Sequence, residues 1–369
     1  MTPLPLNANR PSAASFPFLH ERPSWSAAQQ WAAEWVQLIE APVPCRASAM
    51  PTPQGWTLTL AFGTPLTGQC LDVFIQSPQP GTLSLRLDHE GVGPVPFSQE
   101  AACFNFPIPD GTSTIVMDMQ GAAPADPATL LPFRSIRIMP RAIEAATMLQ
   151  TGTAAPQNDR DLALRFVSLG DNCEFGIVQR RLGADPLDLY RFSAVPIAWI
   201  LYGFDRGFAG IDQSGPHEVT EQLQGDGNRY WYVYQREYRI QFESGVRCDT
   251  KSLADMRRDS LRRMPFLAWR LMDTLRSGDR ILVFRRETPL HPAEISALSH
   301  RLAALGSAQA LVVHPDPTQD NPTIQRVARN VANGTIASFA DPTRVVDTIR
   351  PDLWLPLMQQ AQTLLSSPL

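Results

Sequence analysis

The sequence lacks the cysteine pattern of a disulfide-bonded or zinc-binding protein. Its 369 residues contain five cysteines, an odd number with no CxxC pair and no regular spacing, so a disulfide framework is not expected. No P-loop, GxGxxG or HExxH motif is present either. These absences argue against nucleotide hydrolysis by a standard motif and against a catalytic metal. We therefore predict no metal site and no cofactor.

The sequence also lacks a large excess of charge of one sign, and it has no long apolar run. Charged residues make up 18% of the chain and the net charge is −4, which argues against a nucleic-acid-binding surface. No stretch approaches the roughly 18 apolar residues of a membrane span. The first residues show no basic region followed by an uninterrupted apolar core, so no secretory signal is predicted. We expect a cytoplasmic protein with reduced cysteines and no membrane span.

Core material, by contrast, is plentiful, since hydrophobic residues account for 44% of the chain. At roughly 150 residues per domain the length fits two domains. We predict a flexible arm over 1–22, a helix plus a β-sandwich over 23–150, a linker over 151–160 and an α/β domain over 161–369. The helix is predicted over 24–40, where tryptophans recur near helical spacing.

Six short segments with strand periodicity, separated by turn signals, lie in the first half of the chain. They begin at Trp56, Cys70, Thr82, Ala102, Ser113 and Phe133. This pattern predicts an all-β sandwich of jelly-roll-like architecture. Such a scaffold often binds sugars, although the fold alone does not establish it. Asp88, His89, Glu90 and Asp110 lie in predicted turns, where they form either a carbohydrate or calcium site or ordinary solvated turns.

In the second half, apolar strand-like runs alternate with helical patterns, which predicts a mainly parallel α/β sheet. The runs are LRFVSLG, ILVF, ALVV and IASF. Between the first two, residues 230–242 are aromatic and predict a hairpin, and residues 252–276 predict a long helix interrupted at Pro265. Helices are also predicted over 174–182, 194–202, 292–305 and 353–365.

Ligands of a parallel sheet gather at the carboxyl ends of its strands, and here the residues at those ends are polar. They are Gly170, Asp171, Asn172 and Cys173 after the first strand, Arg285, Arg286 and Glu287 after the second, His314 and Asp316 after the third, and Asp341 after the fourth. If the four strands run parallel, these residues line one edge of the sheet.

Cys173 is the most informative of these residues. Asp171 and Glu174 have the spacing of a capping box, which would place Cys173 in the first turn of a helix. Unpaired amides and the helix dipole favour a thiolate at such a position. The sequence therefore predicts a nucleophilic cysteine, with a small cysteine packed under the turn as the structural alternative.

A cysteine nucleophile requires a base, an orienting group and an oxyanion donor. His314 with Asp316 nearby is the first candidate for the base, and His291, at a predicted helix start, is the second. The side chain of Asn172 or a backbone amide could hold the oxyanion. The alternative is that both histidines are ordinary loop residues.

Two consecutive arginines permit a different chemistry. Arg285 and Arg286, with Glu287, follow a strand near a helix start, where guanidinium groups and unpaired amides attract a phosphate or carboxylate. We therefore predict an anionic small molecule as a ligand of these residues, whereas the possible glycan ligand belongs to the β-sandwich. A structural ion pair from an arginine to Asp171 or Glu287 is the alternative.

The run SLGDNCEFGIVQRRLG resembles the start of a bacterial family of unknown function whose members are described as candidate papain-like cysteine peptidases. The resemblance continues through YWYVYQREYRIQF and ILVFRRE and covers residues 164–316. It implies that Cys173 is the nucleophile. Many members place a histidine directly after the IRF-like strand, whereas this chain has Glu243 and Ser244 there.

Members with the GDNCEFG form accompany glycosyltransferases and surface-polysaccharide synthesis. The resemblance thus leaves two functions open. The first is a Cys173-dependent hydrolase or acyltransferase. The second is a non-catalytic or transferase-like module of glycan biosynthesis, with a sugar-binding sandwich and glycosyltransferase partners.

Overall fold

The computed structural model describes residues 39–43, 45–52, 55–77, 79–88, 90–97, 101–121, 133–141, 158–341 and 344–366. The chain divides into two compact units, residues 1–143 and residues 144–369. The predicted arm and nearly all of the predicted helix over 24–40 lie outside the described residues. The last two residues of that helix prediction, Ile39–Glu40, form a strand instead.

The described part of the first unit consists of strands. These are β1 (Ile39–Glu40), β2 (Cys45–Thr52), β3 (Gly55–Leu66), β4 (Gln69–Ile75), β5 (Gly81–Leu87), β6 (Glu90–Phe97), β7 (Ala102–Pro107), β8 (Thr112–Gln120) and β9 (Phe133–Pro140). They form a four-stranded sheet in the order β1-β9-β4-β7 and a five-stranded sheet in the order β2-β3-β8-β5-β6. Only the β1–β9 pairing is parallel.

Side-chain alternation explains why these segments form strands. In β3, Trp56, Leu58 and Leu60 are buried, while Thr57 and Thr59 between them are half-buried, as expected of a strand with one face on a core. All six predicted segments are strands, so the mostly antiparallel β architecture is confirmed. Its finer description as a jelly-roll-like sandwich stays a prediction.

The second unit contains both helices and strands. In chain order they are α1 (Asp159–Leu164), β10 (Phe166–Ser168), α2 (Glu174–Arg181), α3 (Ile197–Arg206), β11 (His217–Leu223), β12 (Arg229–Gln235), β13 (Ile240–Arg247), α4 (Leu253–Ser277), β14 (Ile281–Arg285), α5 (Pro292–Leu305), β15 (Gln309–Pro315), β16 (Thr323–Ala328), β17 (Val331–Ile336), α6 (Val345–Thr348) and α7 (Pro351–Ser366). Thus α1 begins inside the stretch predicted as a linker, with the Asn158 side chain capping it.

A five-stranded sheet with the order β10-β14-β15-β17-β16 forms the centre of this unit. Strands β10, β14, β15 and β17 are parallel, and only β16 is antiparallel. This confirms the mainly parallel sheet predicted from the sequence. On one face, Val283 and Leu311 pack in a core with Phe175 of α2 and with Trp354 and Leu357 of α7.

The aromatic segment forms the predicted hairpin, β12 and β13, and β11 extends it to a three-stranded antiparallel sheet. Helix α4 then runs without a break through Pro265, so the predicted interruption is wrong. Proline removes one helical hydrogen bond, but buried residues on both sides, such as Met264 and Leu267, hold the helix in place. Of the helices that the structure describes, none is long and apolar enough to cross a membrane.

Candidate functional site

The turn after β10 has an unusual backbone. Gly170 and Asp171 both have positive φ, +95° and +74°, and the left-handed region is uncommon for a residue with a side chain. A Cβ on residue 170 would lie 3.0 Å from the Ser193 carbonyl oxygen. Glycine is therefore required there both by its backbone angle and by the close approach of another segment.

Helix α2 is capped differently from the prediction. Its N-cap residue is Cys173, whose side chain makes no capping bond, and the acceptor is Asn172, whose Oδ1 receives the Glu174 amide at 2.9 Å. The predicted capping box between Asp171 and Glu174 is wrong. Asp171 has the left-handed backbone of the preceding turn, so it lies outside the N-cap position.

Arg285 lies beneath this turn and is surrounded by carboxylates. Its side chain is 5% exposed and forms ion pairs with Glu174 at 3.3 Å, with Asp171 at 3.9 Å and with Glu287. The guanidinium carbon lies 3.8 Å from the centre of the Phe339 ring, a cation–π contact. The charge of Arg285 is thus taken up by groups of the protein, as in the structural alternative.

Glu174 connects distant parts of the chain and was not identified as a site residue from the sequence. It is fully buried, and its Oε1 accepts a hydrogen bond from Trp354 Nε1 of α7 at 3.0 Å. Burial raises the pKa of the Glu174 carboxyl, while the bond from Trp354 and the charge of Arg285 lower it. A helix-start glutamate gives no signal in the sequence that it will be buried.

The Cys173 thiol is half-buried at the start of α2. Burial raises the pKa of Cys173, and so do the nearby Glu174 and Glu243 carboxylates, whereas its own backbone amide and the charge of Arg285 lower it. The predicted bias toward a thiolate is therefore wrong for the resting protein. Desolvation outweighs the contribution of the helix start.

The two consecutive arginines point to opposite faces of the sheet. Arg285 pairs in register with Val313 of the parallel neighbour β15, so these two side chains share a face. Side chains alternate along a strand, which places His314 on the other face. Arg286 forms an ion pair with Glu294 of α5 on that other face.

On this second face, Arg286 forms a bidentate ion pair with Glu294 of α5, at 3.0 and 3.1 Å. Glu294 also accepts the His291 backbone amide at 2.9 Å, and His291 Nδ1 accepts the Ala293 amide at 3.2 Å. His291 is therefore the N-cap of α5 in a capping box. Its Nδ1 stabilises the helix start, which is a structural role.

His314 is a strand residue of β15, although the sequence placed it in a loop. It is 8% exposed, and its Nδ1 has no hydrogen-bond partner in the part of the chain that the structure describes. Asp316 accepts hydrogen bonds from the Thr318 amide and hydroxyl. These bonds lower the pKa of Asp316.

The candidate residues thus form two groups at one sheet edge. Cys173, Asp171 and Arg285 belong to the first, and His314, His291 and Arg286 to the second. Strand β14 separates β10 from β15, so their backbones are roughly 10 Å apart. Among the described residues no hydrogen bond joins the Cys173 thiol to either imidazole. The assignment of Cys173, His314, His291 and Asp316 as catalytic residues stays a prediction.

The predicted turn site in the first unit has a structural explanation for two of its residues. The Asp88 carboxylate accepts the amides of Ser113 and Thr114, and Asp110 accepts the Gly68 amide. His89 lies outside the described residues. Within those residues no cluster of three or more histidine, cysteine, aspartate or glutamate side chains could hold a metal. The glycan ligand and the glycosyltransferase partners stay predictions.

Comparisons with known proteins leave the family open. No family model and no curated protein matches the chain. Among solved structures, the chain is similar to a family two carbohydrate esterase from Clostridium thermocellum in complex with cellohexaose, at 9% identity and a TM-score of 0.17, over 72% of this chain and 73% of the esterase. An active-site mutant of a family two carbohydrate esterase from the same organism gives 11% identity, the same TM-score and 72% of both chains. At this TM-score the likeness bears on neither the fold nor the function of this chain.

Proposed function

We propose that this chain is a cysteine-dependent hydrolase or acyltransferase, similar to the candidate papain-like peptidases that it resembles, with Cys173 as the nucleophile. One observation carries the proposal. Cys173 lies at the N-cap of α2, at the carboxyl end of a strand in a parallel sheet, where ligands of such sheets gather. The left-handed Asp171 beside it supports a functional role, because backbone strain of this kind clusters at active sites.

The raised pKa of Cys173 determines how its proton is removed in such an enzyme. The resting nucleophile is a neutral thiol, so a base must remove its proton as sulfur attacks the substrate carbonyl. The new bond is carbon–sulfur, the bond to the leaving alcohol or amine breaks, and the leaving group takes the proton back. Water or another acceptor then releases the acyl group from Cys173.

His314 is the residue that we propose as this base. A buried ring nitrogen without a partner requires an explanation, and proton transfer is one. Because His314 lies on the other face of the sheet and β14 separates β15 from β10, the proposal requires a substrate bound across the strand ends to connect the imidazole with the thiol. The side-chain N–H groups of Asn172, whose oxygen is used in capping α2, are the candidate oxyanion donors.

The test is acyl transfer from an activated ester to the full chain. We expect p-nitrophenyl acetate to leave an acetyl group on Cys173, located by mass spectrometry, with turnover that rises with pH. Cys173→Ala should abolish both signals, and His314→Gln should lower turnover by roughly a hundredfold. Cys248→Ala is the matched control, because that cysteine is also half-buried. Acetylation that is absent, or unchanged in Cys173→Ala, would disprove the proposal.

A further inference from the structure

An exposed aromatic pair lies on α4. Phe266 and Trp269 are 50% and 58% exposed, and their rings are stacked with centroids 6.3 Å apart. Large apolar side chains exposed together, unlike single ones, indicate an interaction surface. The pair lies on the side of α4 opposite the buried Met264, Leu267 and Leu271 of the same helix.

A third apolar side chain extends the surface. The Arg270 guanidinium donates to the Leu187 carbonyl oxygen at 3.0 Å and lies 6.0 Å from the Phe266 ring centre. This bond holds the Leu187 segment beside α4, and the Leu187 side chain is 47% exposed. We call Leu187, Phe266 and Trp269 the aromatic patch.

Positive charge surrounds the aromatic patch. Residues 262–276 contain four arginines and one acidic residue, Asp273. Arg262 and Arg263, one turn before Phe266, are exposed, and neither forms an ion pair within the described residues. The chain as a whole has a net charge of −4, so this concentration of arginine is local to α4.

We infer that the aromatic patch and its arginines bind an anionic membrane surface. Aromatic rings on one side of a helix, with arginines around them, are the composition of a helix that lies in the lipid interface. Phenylalanine and tryptophan enter the headgroup region while the arginines meet anionic lipids. The exposed side of a helix is convex and forms no pocket. Such a surface suits a lipid bilayer, because the lipids can pack around the two rings.

Sedimentation of the full chain with vesicles tests the inference. We expect binding to vesicles of phosphatidylcholine mixed with phosphatidylserine, little binding to phosphatidylcholine alone, and weaker binding as salt is raised. Arg262→Glu with Arg263→Glu should weaken binding roughly tenfold or more. Phe266→Ser with Trp269→Ser should also abolish most of it, because the rings supply the apolar contact.

Two controls match these variants. Leu223→Ser removes an exposed apolar side chain elsewhere, 70% exposed, and Arg236→Glu reverses an exposed arginine in the turn between β12 and β13; both should bind like the unaltered protein. Circular dichroism must show that every variant is folded. Equal binding to both vesicle types, or α4 variants that bind like the controls, would overturn the inference. Retention on polyglutamate without binding to anionic vesicles would also overturn it, in favour of an acidic polypeptide partner.

Discussion

Arg285 and Arg286 are neighbours in the sequence, yet they belong to different environments. Arg285 is buried among three carboxylates and an aromatic ring on the α2 side of the sheet. Arg286, on the α5 side, has a side chain that is 25% exposed and pairs with Glu294. Arg285 is the last residue of β14 and Arg286 follows the strand, so the two guanidinium groups have different ion-pair partners, although the charges of both lower the pKa of Asp171.

The largest expected effect is on stability when the buried arginine is removed. Arg285→Met leaves the buried Glu174 carboxyl without its cation, which should cost about 3–5 kcal/mol. Arg286→Met is the matched control and should cost less, about 1–3 kcal/mol, because Glu294 keeps the hydrogen bond from the His291 amide. Urea unfolding followed by circular dichroism measures both.

The double variant Arg285→Met with Glu174→Gln keeps this test informative if the single variant does not fold. It removes the unpaired carboxyl and should recover much of the lost stability. If Arg285→Met and Arg286→Met lost equal free energies of unfolding, the expected difference between the two faces would be contradicted.

A smaller loss of stability is expected from the tryptophan that binds Glu174. Trp354→Phe retains an aromatic ring in the core but removes the donor to Glu174, which should cost about 2 kcal/mol. Trp269→Phe, on the exposed side of α4, should change the free energy of unfolding by less than about 0.5 kcal/mol. Urea denaturation of both variants checks this, and a Trp354→Phe variant as stable as Trp269→Phe would contradict the role of the bond.

The smallest expected effect is on the titration of Cys173. The unaltered thiol should be alkylated by iodoacetamide with a midpoint above about 8.5, because burial raises its pKa. Glu174→Gln removes a nearby negative charge and should lower that midpoint. Glu294→Gln makes the same change on the other face and should leave it unaltered; a shift of the same size in both variants would refute the separation of the two groups.

Much of the fold could be predicted from local patterns. Alternation around Leu58 and Leu60 identified a strand, and the helix predicted over 292–305 has the bounds of α5. Strands β2, β6, β11 and β16 were missed. Residues such as Glu221 in β11 and Gln325 in β16 leave little apolar periodicity. The parallel order of β10, β14 and β15 followed from their alternation with helices. The fourth predicted run, IASF, was misplaced, because it overlaps β17 only at Ile336.

The candidate site could be predicted less well, because its properties depend on contacts between distant residues. The position of Cys173 at a helix start was correct, but its pKa depends on burial, which no neighbouring residue reveals. His314 looked like a loop residue because Pro315 follows it, whereas β15 continues through both. The burial of Glu174 depends on Trp354, 180 positions further along the chain.

The 180 positions between Glu174 and Trp354 have a consequence for synthesis of the protein. A ribosome adding roughly 5–20 residues per second needs roughly 10–40 s to proceed from Glu174 to Trp354. During that interval the carboxylate has no indole to bind and stays hydrated, so the turn that carries Cys173 cannot reach its final packing. This end of the sheet is therefore completed late, after α7 has been synthesised and has docked.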